Sequence, residues 1–148
     1  MTGGELRNNG RGGAELFGGT YAFTNVGIKG NPVFGIYLQN GSAAPGTISM
    51  RGCTIAGNGG DGIYLFAGAT GDFGTAANPG TNTFEGNAGV GLNIATSPSA
   101  VSAVGNTWLR NTQGSDANGK FPAQLKTGPV NFAAHNNFAI EGSSTLQL

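Results

Sequence analysis

Acid–base chemistry in this chain would have to come from seven carboxylates: Glu5, Glu15, Asp61, Asp72, Glu85, Asp116 and Glu141. Cleaving a glycosidic bond takes two carboxyl groups held roughly 5–10 Å apart, one protonated and one charged. Four of the seven are candidates. Asp61 falls in a Gly/Asn turn and Glu85 in an apolar strand, while Asp72 and Asp116 fall in two long stretches, 66–80 and 113–121, read as loops. The residues equivalent to Asp61 one repeat later are Ala88, Gly89 and Val90, and Glu85 stacks over Ala56. No two acids therefore share a register, and Asp72 with Asp116 is the pair that loops can bring together. Arg51, Arg110 and Lys126 are the candidate bases.

Other chemistries find less. His135 stands alone, and no Ser/His/Asp set, dinucleotide fingerprint or phosphate loop can be assembled. The single cysteine, Cys53, rules out an internal disulfide and a cysteine-rich metal site, and it reads as a small buried hydrophobe. No metal and no cofactor is expected. For binding, the candidates are Tyr37 and Tyr64, equivalent positions in successive repeats, with Asn93 next in line. They and Tyr21 are the aromatics expected on the outward phase of a strand, where a sugar ring can be met.

These residues must be positioned by a repeat. Cys53-Thr54-Ile55-x-x-Asn58 leads to Gly62-Ile63-Tyr64-Leu65, and Asn82-Thr83-Phe84-x-x-Asn87 leads to Gly91-Leu92-Asn93-Ile94. Each copy is a short apolar strand, a Gly/Asn turn and a second apolar strand, which is the signature of a solenoid. Leu6-x-x-Asn9, followed by Gly13-Ala14-Glu15-Leu16, repeats it near the start. Further copies are read at Phe23-Thr24-Asn25, at Asn106-Thr107-Trp108-x-x-Asn111 and at Asn136-Asn137-Phe138. Phe23, Ile55, Phe84, Trp108 and Phe138 are thus expected to form one inward column, with Leu6 too close to Phe23 for a regular first turn. A third strand precedes each anchor, as in Ile48-Ser49-Met50, Val101-Ser102-Ala103 and Val130-x-Phe132.

Three short alternating strands per repeat, stacked at about 4.8 Å, predict an all-β, parallel β-helix of about five coils. Parallel crossovers are right-handed almost without exception, so the helix is expected to be right-handed. Two asparagine sets should line its turns: Asn9, Asn25, Asn58, Asn87 and Asn111 after the anchor strand, and Asn82, Asn106 and Asn136 before it. Asparagine tolerates left-handed backbone and forms side-chain ladders between stacked strands.

Composition agrees. Gly accounts for 29 of 148 residues and charged residues for 9%, yet 38% are hydrophobic, which is a packed but turn-rich chain rather than a disordered one. Seven basic residues balance seven acidic ones, so nothing favours capture of nucleic acid. No run reaches the roughly 18 apolar residues of a membrane span. The length suits one domain, 1–148, and the start at Met1 lacks the apolar core of a signal peptide, so the chain reads as a fragment or terminal part of something longer.

With the anchors placed, the sequence resembles the pectate-lyase-like right-handed β-helix superfamily, and within it the bacterial surface-protein branch of unassigned function. The resemblance rests on Asn82-Thr83-Phe84-x-x-Asn87, the stretch Asp72-Phe73-Gly74-Thr75-Ala76-Ala77-Asn78-Pro79-Gly80, Gly105-Asn106-Thr107-Trp108 and Gln113-Gly114-Ser115-Asp116-Ala117-Asn118-Gly119. It implies a secreted or cell-surface location. Because members include lyases, hydrolases, adhesins and inert spacers, it does not fix an activity.

The expectation is a non-enzymatic structural module serving as stalk, assembly unit or weak carbohydrate contact. One alternative is a polysaccharide-active enzyme with its site beside the long stretches. Another is a filament scaffold that self-stacks through open coil ends.

Overall fold

The computed structural model describes residues 1–66, 68–94, 100–111, 138–140 and 145–147. Every regular element among them is a strand. In chain order these are β1 (Glu5–Arg7), β2 (Gly12–Phe17), β3 (Gly19–Thr24), β4 (Gly27–Lys29), β5 (Phe34–Gln39), β6 (Gly46–Arg51), β7 (Thr54–Ala56) and β8 (Ile63–Phe66). They continue with β9 (Thr70–Asp72), β10 (Thr83–Glu85), β11 (Leu92–Ile94), β12 (Ala100–Ser102), β13 (Thr107–Leu109), β14 (Phe138–Ile140) and β15 (Thr145–Gln147). Every third strand pairs in parallel with the next, giving three sheets of five strands: β1-β4-β7-β10-β13, β2-β5-β8-β11-β14 and β3-β6-β9-β12-β15. This is a parallel β-solenoid with three strands per winding.

The reason is alternation combined with stacking. In each three-residue strand of the first sheet, the central side chain points inward and its neighbours point out. The inward column runs Leu6, Ile28, Ile55, Phe84, Trp108. The second sheet contributes Ile36, Ile63 and Leu92 in one row and Leu38, Leu65 and Ile94 in the next, all fully covered. Burying each such side chain is worth about 1.5–3 kcal/mol. The third sheet adds Ile48, Met50 and Val101. Gly71 stands in register with Ile48 and Val101 but lacks a side chain. The Phe73 ring fills that space: a Cβ on Gly71 would lie 2.4 Å from its edge.

Two expected column members are displaced. Phe23 belongs to β3 and pairs with Met50 in the third sheet, and Phe138 pairs with Leu92 in the second. Ile28 takes the place assigned to Phe23, and Leu6 joins the column regularly. The first turn is regular because the neighbour of Leu6 in the column is Ile28, 22 residues on, and not Phe23.

The asparagine ladder moves with it. Asn31, not Asn25, continues the series Asn9, Asn31, Asn58, Asn87, Asn111. Successive members are 22, 27, 29 and 24 residues apart. Asn25 is exposed, with φ 55, and makes the left-handed turn into β4 instead. Within the ladder each Asn side-chain oxygen accepts from the amide of the Asn below, as in Asn58 N to Asn87 Oδ1 at 3.1 Å and Asn58 Nδ2 to the same oxygen at 2.8 Å. Its own Nδ2 donates to a strand carbonyl, Ile55 O for Asn87.

The shorter series Asn82–Asn106 forms as expected, Asn82 Nδ2 donating to Asn106 Oδ1 at 2.9 Å. One winding earlier, Cys53 donates its backbone N–H to Asn82 Oδ1. Cys53 is buried as read, and burial raises the pKa of its thiol despite nearby backbone hydrogen bonds. Asn136, Val130 and Phe132 lie outside the described residues.

Candidate functional site

The turn that follows the long ladder has the same length in four windings. It reads Asn9-Gly10-Arg11-Gly12-Gly13, Asn31-Pro32-Val33-Phe34-Gly35, Asn58-Gly59-Gly60-Asp61-Gly62 and Asn87-Ala88-Gly89-Val90-Gly91. Backbone bonds from Val33 N to Arg11 O, Gly59 N to Asn31 O, Ala88 N to Asn58 O and Gly89 N to Gly60 O hold these turns in line. The closing glycines are obligatory, since a Cβ on Gly35 would come within 2.2 Å of Gly62 O and one on Gly62 within 2.6 Å of Gly91 O. From the second winding to the fourth, the turn sheds its side chains, Pro32-Val33 giving way to Gly59-Gly60 and then Ala88-Gly89. The result is a groove of about 470 Å³ with a floor of glycine and alanine, walled by Phe34, Tyr37 and Tyr64, with Arg11, Val33 and Asp61 on its border.

Tyr37 and Tyr64 come together as their register implies. Their rings stack at 5.3 Å between centroids and 14° between planes, and Phe66 packs beside both, 6.0 Å from Tyr64 and 6.2 Å from Tyr37. The two tyrosines turn faces toward each other, which is a stabilising cross-strand pair. The surface offered to solvent is therefore rich in ring edges and hydroxyls; the Tyr37 hydroxyl donates to Gln39 Oε1 at 3.0 Å. Tyr21 does not join them. It occupies the inward phase of β3, in register with Ile48, half-buried against the core.

The acids are separated. Asp61 sits in the turn before the second sheet, Asp72 on the third and Glu85 on the first. Asp72 departs from expectation: the stretch 66–80 contains β9, and Asp72 is its last residue rather than part of a loop. Arg51 grips it with two 2.8 Å bonds, while the Gly74 amide donates to it at 2.9 Å and the Ser102 hydroxyl at 3.4 Å. Burial pushes the Asp72 carboxyl up, but Arg51, the Gly74 amide and Ser102 together outweigh it and hold the group below its ordinary value. Glu85 pairs with Arg110, so two candidate bases are engaged by two candidate acids. Asp116, Lys126, His135 and the stretch 113–121 lie outside the described residues. Among the described residues no group of His, Cys, Asp or Glu could hold a metal ion.

Asp61 differs. Burial raises its pKa, offset in part by the Asn93 side chain and the Val90 amide. Its Oδ1 accepts from Val90 N at 2.9 Å and its Oδ2 from Asn93 Nδ2 at 2.8 Å. Both donors belong to the next winding, so this carboxylate ties two coils together. Sequence reasoning placed Asp61 in a turn but could not see this: the donors are an amide and a side chain 29 and 32 residues away.

The two shifts oppose each other in acid. The depressed Asp72 stabilises the fold above the ordinary carboxylate pKa, and that contribution is lost as pH falls through its lower folded value. The raised Asp61 stabilises the fold at low pH, and its contribution is lost as pH rises through its higher folded value. Replacing Asp72 by Asn is expected to cost about 1 kcal/mol near neutrality, a part-exposed pair in which one guanidinium nitrogen bridges both carboxylate oxygens being worth little more. It should also flatten the loss of stability below about pH 4. Urea unfolding followed from pH 7 down to pH 3 would check both, and an unchanged acid limb would exclude the pair as its source.

A family model described as a right handed beta helix region matches residues 1–108. No curated protein and no solved structure matches the chain.

Proposed function

The chain belongs to the right-handed β-helix family, and from that premise we propose that it is a non-catalytic structural module. In this reading it is one β-helix domain of a bacterial secreted or cell-surface protein. It works as a rigid stalk or assembly unit that makes a weak carbohydrate contact along the groove beside Tyr37 and Tyr64. The observation that carries the reading is the dispersal of the acids: Asp61, Asp72 and Glu85 occupy three different faces of the solenoid. Two of them are engaged by arginine. A hydrolase or lyase needs acid and base to converge on one bond, and this dispersal argues against it.

Rigidity follows from the ladders, which cross-link every winding to the next. Among the described residues, β1 and β2 each pair on one edge only, and those free edges are where a second copy would stack in an assembly. No described helix is long and apolar enough to cross a membrane. Incubation with pectate, alginate and other polyuronates should release no unsaturated product and no reducing ends above background. Release that is abolished by Asp61→Asn or Asp72→Asn would replace the structural reading with the enzymatic one.

A further inference from the structure

Five acids have described surroundings, and four of them have a cation. Glu5 pairs with Arg7 and Lys29, Glu15 with Arg11, Asp72 with Arg51 and Glu85 with Arg110. Asp61 has none among the described residues. It is also held in an environment that burial makes unfavourable for its charge. Its two bonds come from neutral donors, and a carboxylate has room for about two more. Asp61 thus brings spare acceptor capacity, and a negative charge with no described cation of its own, to the groove it lines.

One winding earlier, Phe34 occupies the turn position equivalent to Asp61, about 4.8 Å away along the stack. The Arg11 guanidinium lies over that ring at 5.5 Å from its centroid. Arg11 is exposed and pairs with Glu15 at 2.9 Å. The groove therefore already receives a cation at one end, against an aromatic ring.

We propose that the groove recognises a ligand ammonium group, seated against the Asp61 carboxylate, and that the ligand is a glycan with free amino groups, that is, amino-sugar residues. The choice of a glycan rests on the carbohydrate-contact reading above; the demand for a cation rests on Asp61. The glycine and alanine floor leaves space for a sugar ring beside Tyr64, and the ammonium supplies the donors that Asp61 lacks. Arg11 competes for the same field and moves aside when the ligand enters.

The test is calorimetric titration of the full chain, slightly below neutral pH, with glucosamine oligomers, their N-acetylated counterparts, neutral glucose oligomers and a lysine peptide. Glucosamine oligomers should bind about tenfold more tightly than the acetylated ones, and Asp61→Asn should erase that preference. Arg11→Ala, at an exposed site, should tighten binding about threefold; a misfolded variant cannot give a gain. Equal binding of free and acetylated oligomers, or a preference that survives Asp61→Asn, overturns the ammonium site and leaves the glycan contact standing. Preference for the lysine peptide over every glycan overturns the choice of ligand. Binding of no oligomer at all removes the glycan contact and this inference together.

Discussion

Replacing Asn87 by alanine is expected to cost about 3–5 kcal/mol, a large part of the 5–15 kcal/mol that holds a typical domain folded. Asn87 is fully buried in the middle of the long ladder. Its oxygen accepts from both Asn58 N and Asn58 Nδ2, and its amide nitrogen donates to Ile55 O and to Asn111 Oδ1. Alanine deletes all four bonds at once. It leaves buried partners that water cannot reach, and each orphaned group costs about 1–3 kcal/mol. The sum is held below simple addition because neighbouring groups relax together. Alanine at exposed Asn78 should shift stability by no more than about 0.5 kcal/mol. Paired urea titrations of the two variants decide the matter. If both midpoints move by the same small amount, the ladder contributes nothing beyond turn geometry.

Phe84→Ala should be nearly as severe, at about 3–5 kcal/mol. Phe84 is fully buried; Trp108 stacks on it at 4.1 Å and 9°, and Phe73 meets its edge at 6.2 Å. Removing the ring opens a void between two rigid strands whose spacing is set by backbone bonds, so the walls cannot collapse to fill it. Phe84→Leu fills most of that volume and should cost less than half as much. Trp108 is the sole tryptophan and gives an independent signal. Its emission should move to longer wavelength in Phe84→Ala as solvent reaches the bare face. Unchanged emission together with unchanged stability would mean that the column is not the packed seam described here.

Much of the architecture was legible because its causes are local. Leu6-x-x-Asn9 and Ile55-x-x-Asn58 announce a strand followed by a ladder turn, and Gly62 and Gly91 announce the close approach that ends it. The same spacing was present at Ile28-x-x-Asn31-x-x-x-Gly35. Phe23-Thr24-Asn25 mimics it, because an aromatic followed by asparagine resembles the central copies more closely than Ile28 does. Spacing was the better guide, since the ladder constrains asparagine-to-glycine distance while the core accepts any apolar side chain of suitable volume. Likewise β9 was hidden, because Thr70-Gly71-Asp72 offers no inward side chain of its own and borrows the Phe73 ring.

The candidate site was less legible. Tyr37 over Tyr64 followed from the repeat, but the turning of their faces toward each other did not. Asp61, Asp72 and Glu85 could be named as acids, but not sorted into paired and unpaired. By itself the sequence determined a parallel stack of short strands with asparagine-lined turns, because alternation and turn chemistry act over a few neighbouring residues. Only the tertiary structure decided that Asp72 and Glu85 are paired with arginines while Asp61, on the groove, has no cation partner among the described residues. The partners that settle each charge lie 21 to 32 residues away along the chain, and windings of unequal length meet in register only once the coils have closed.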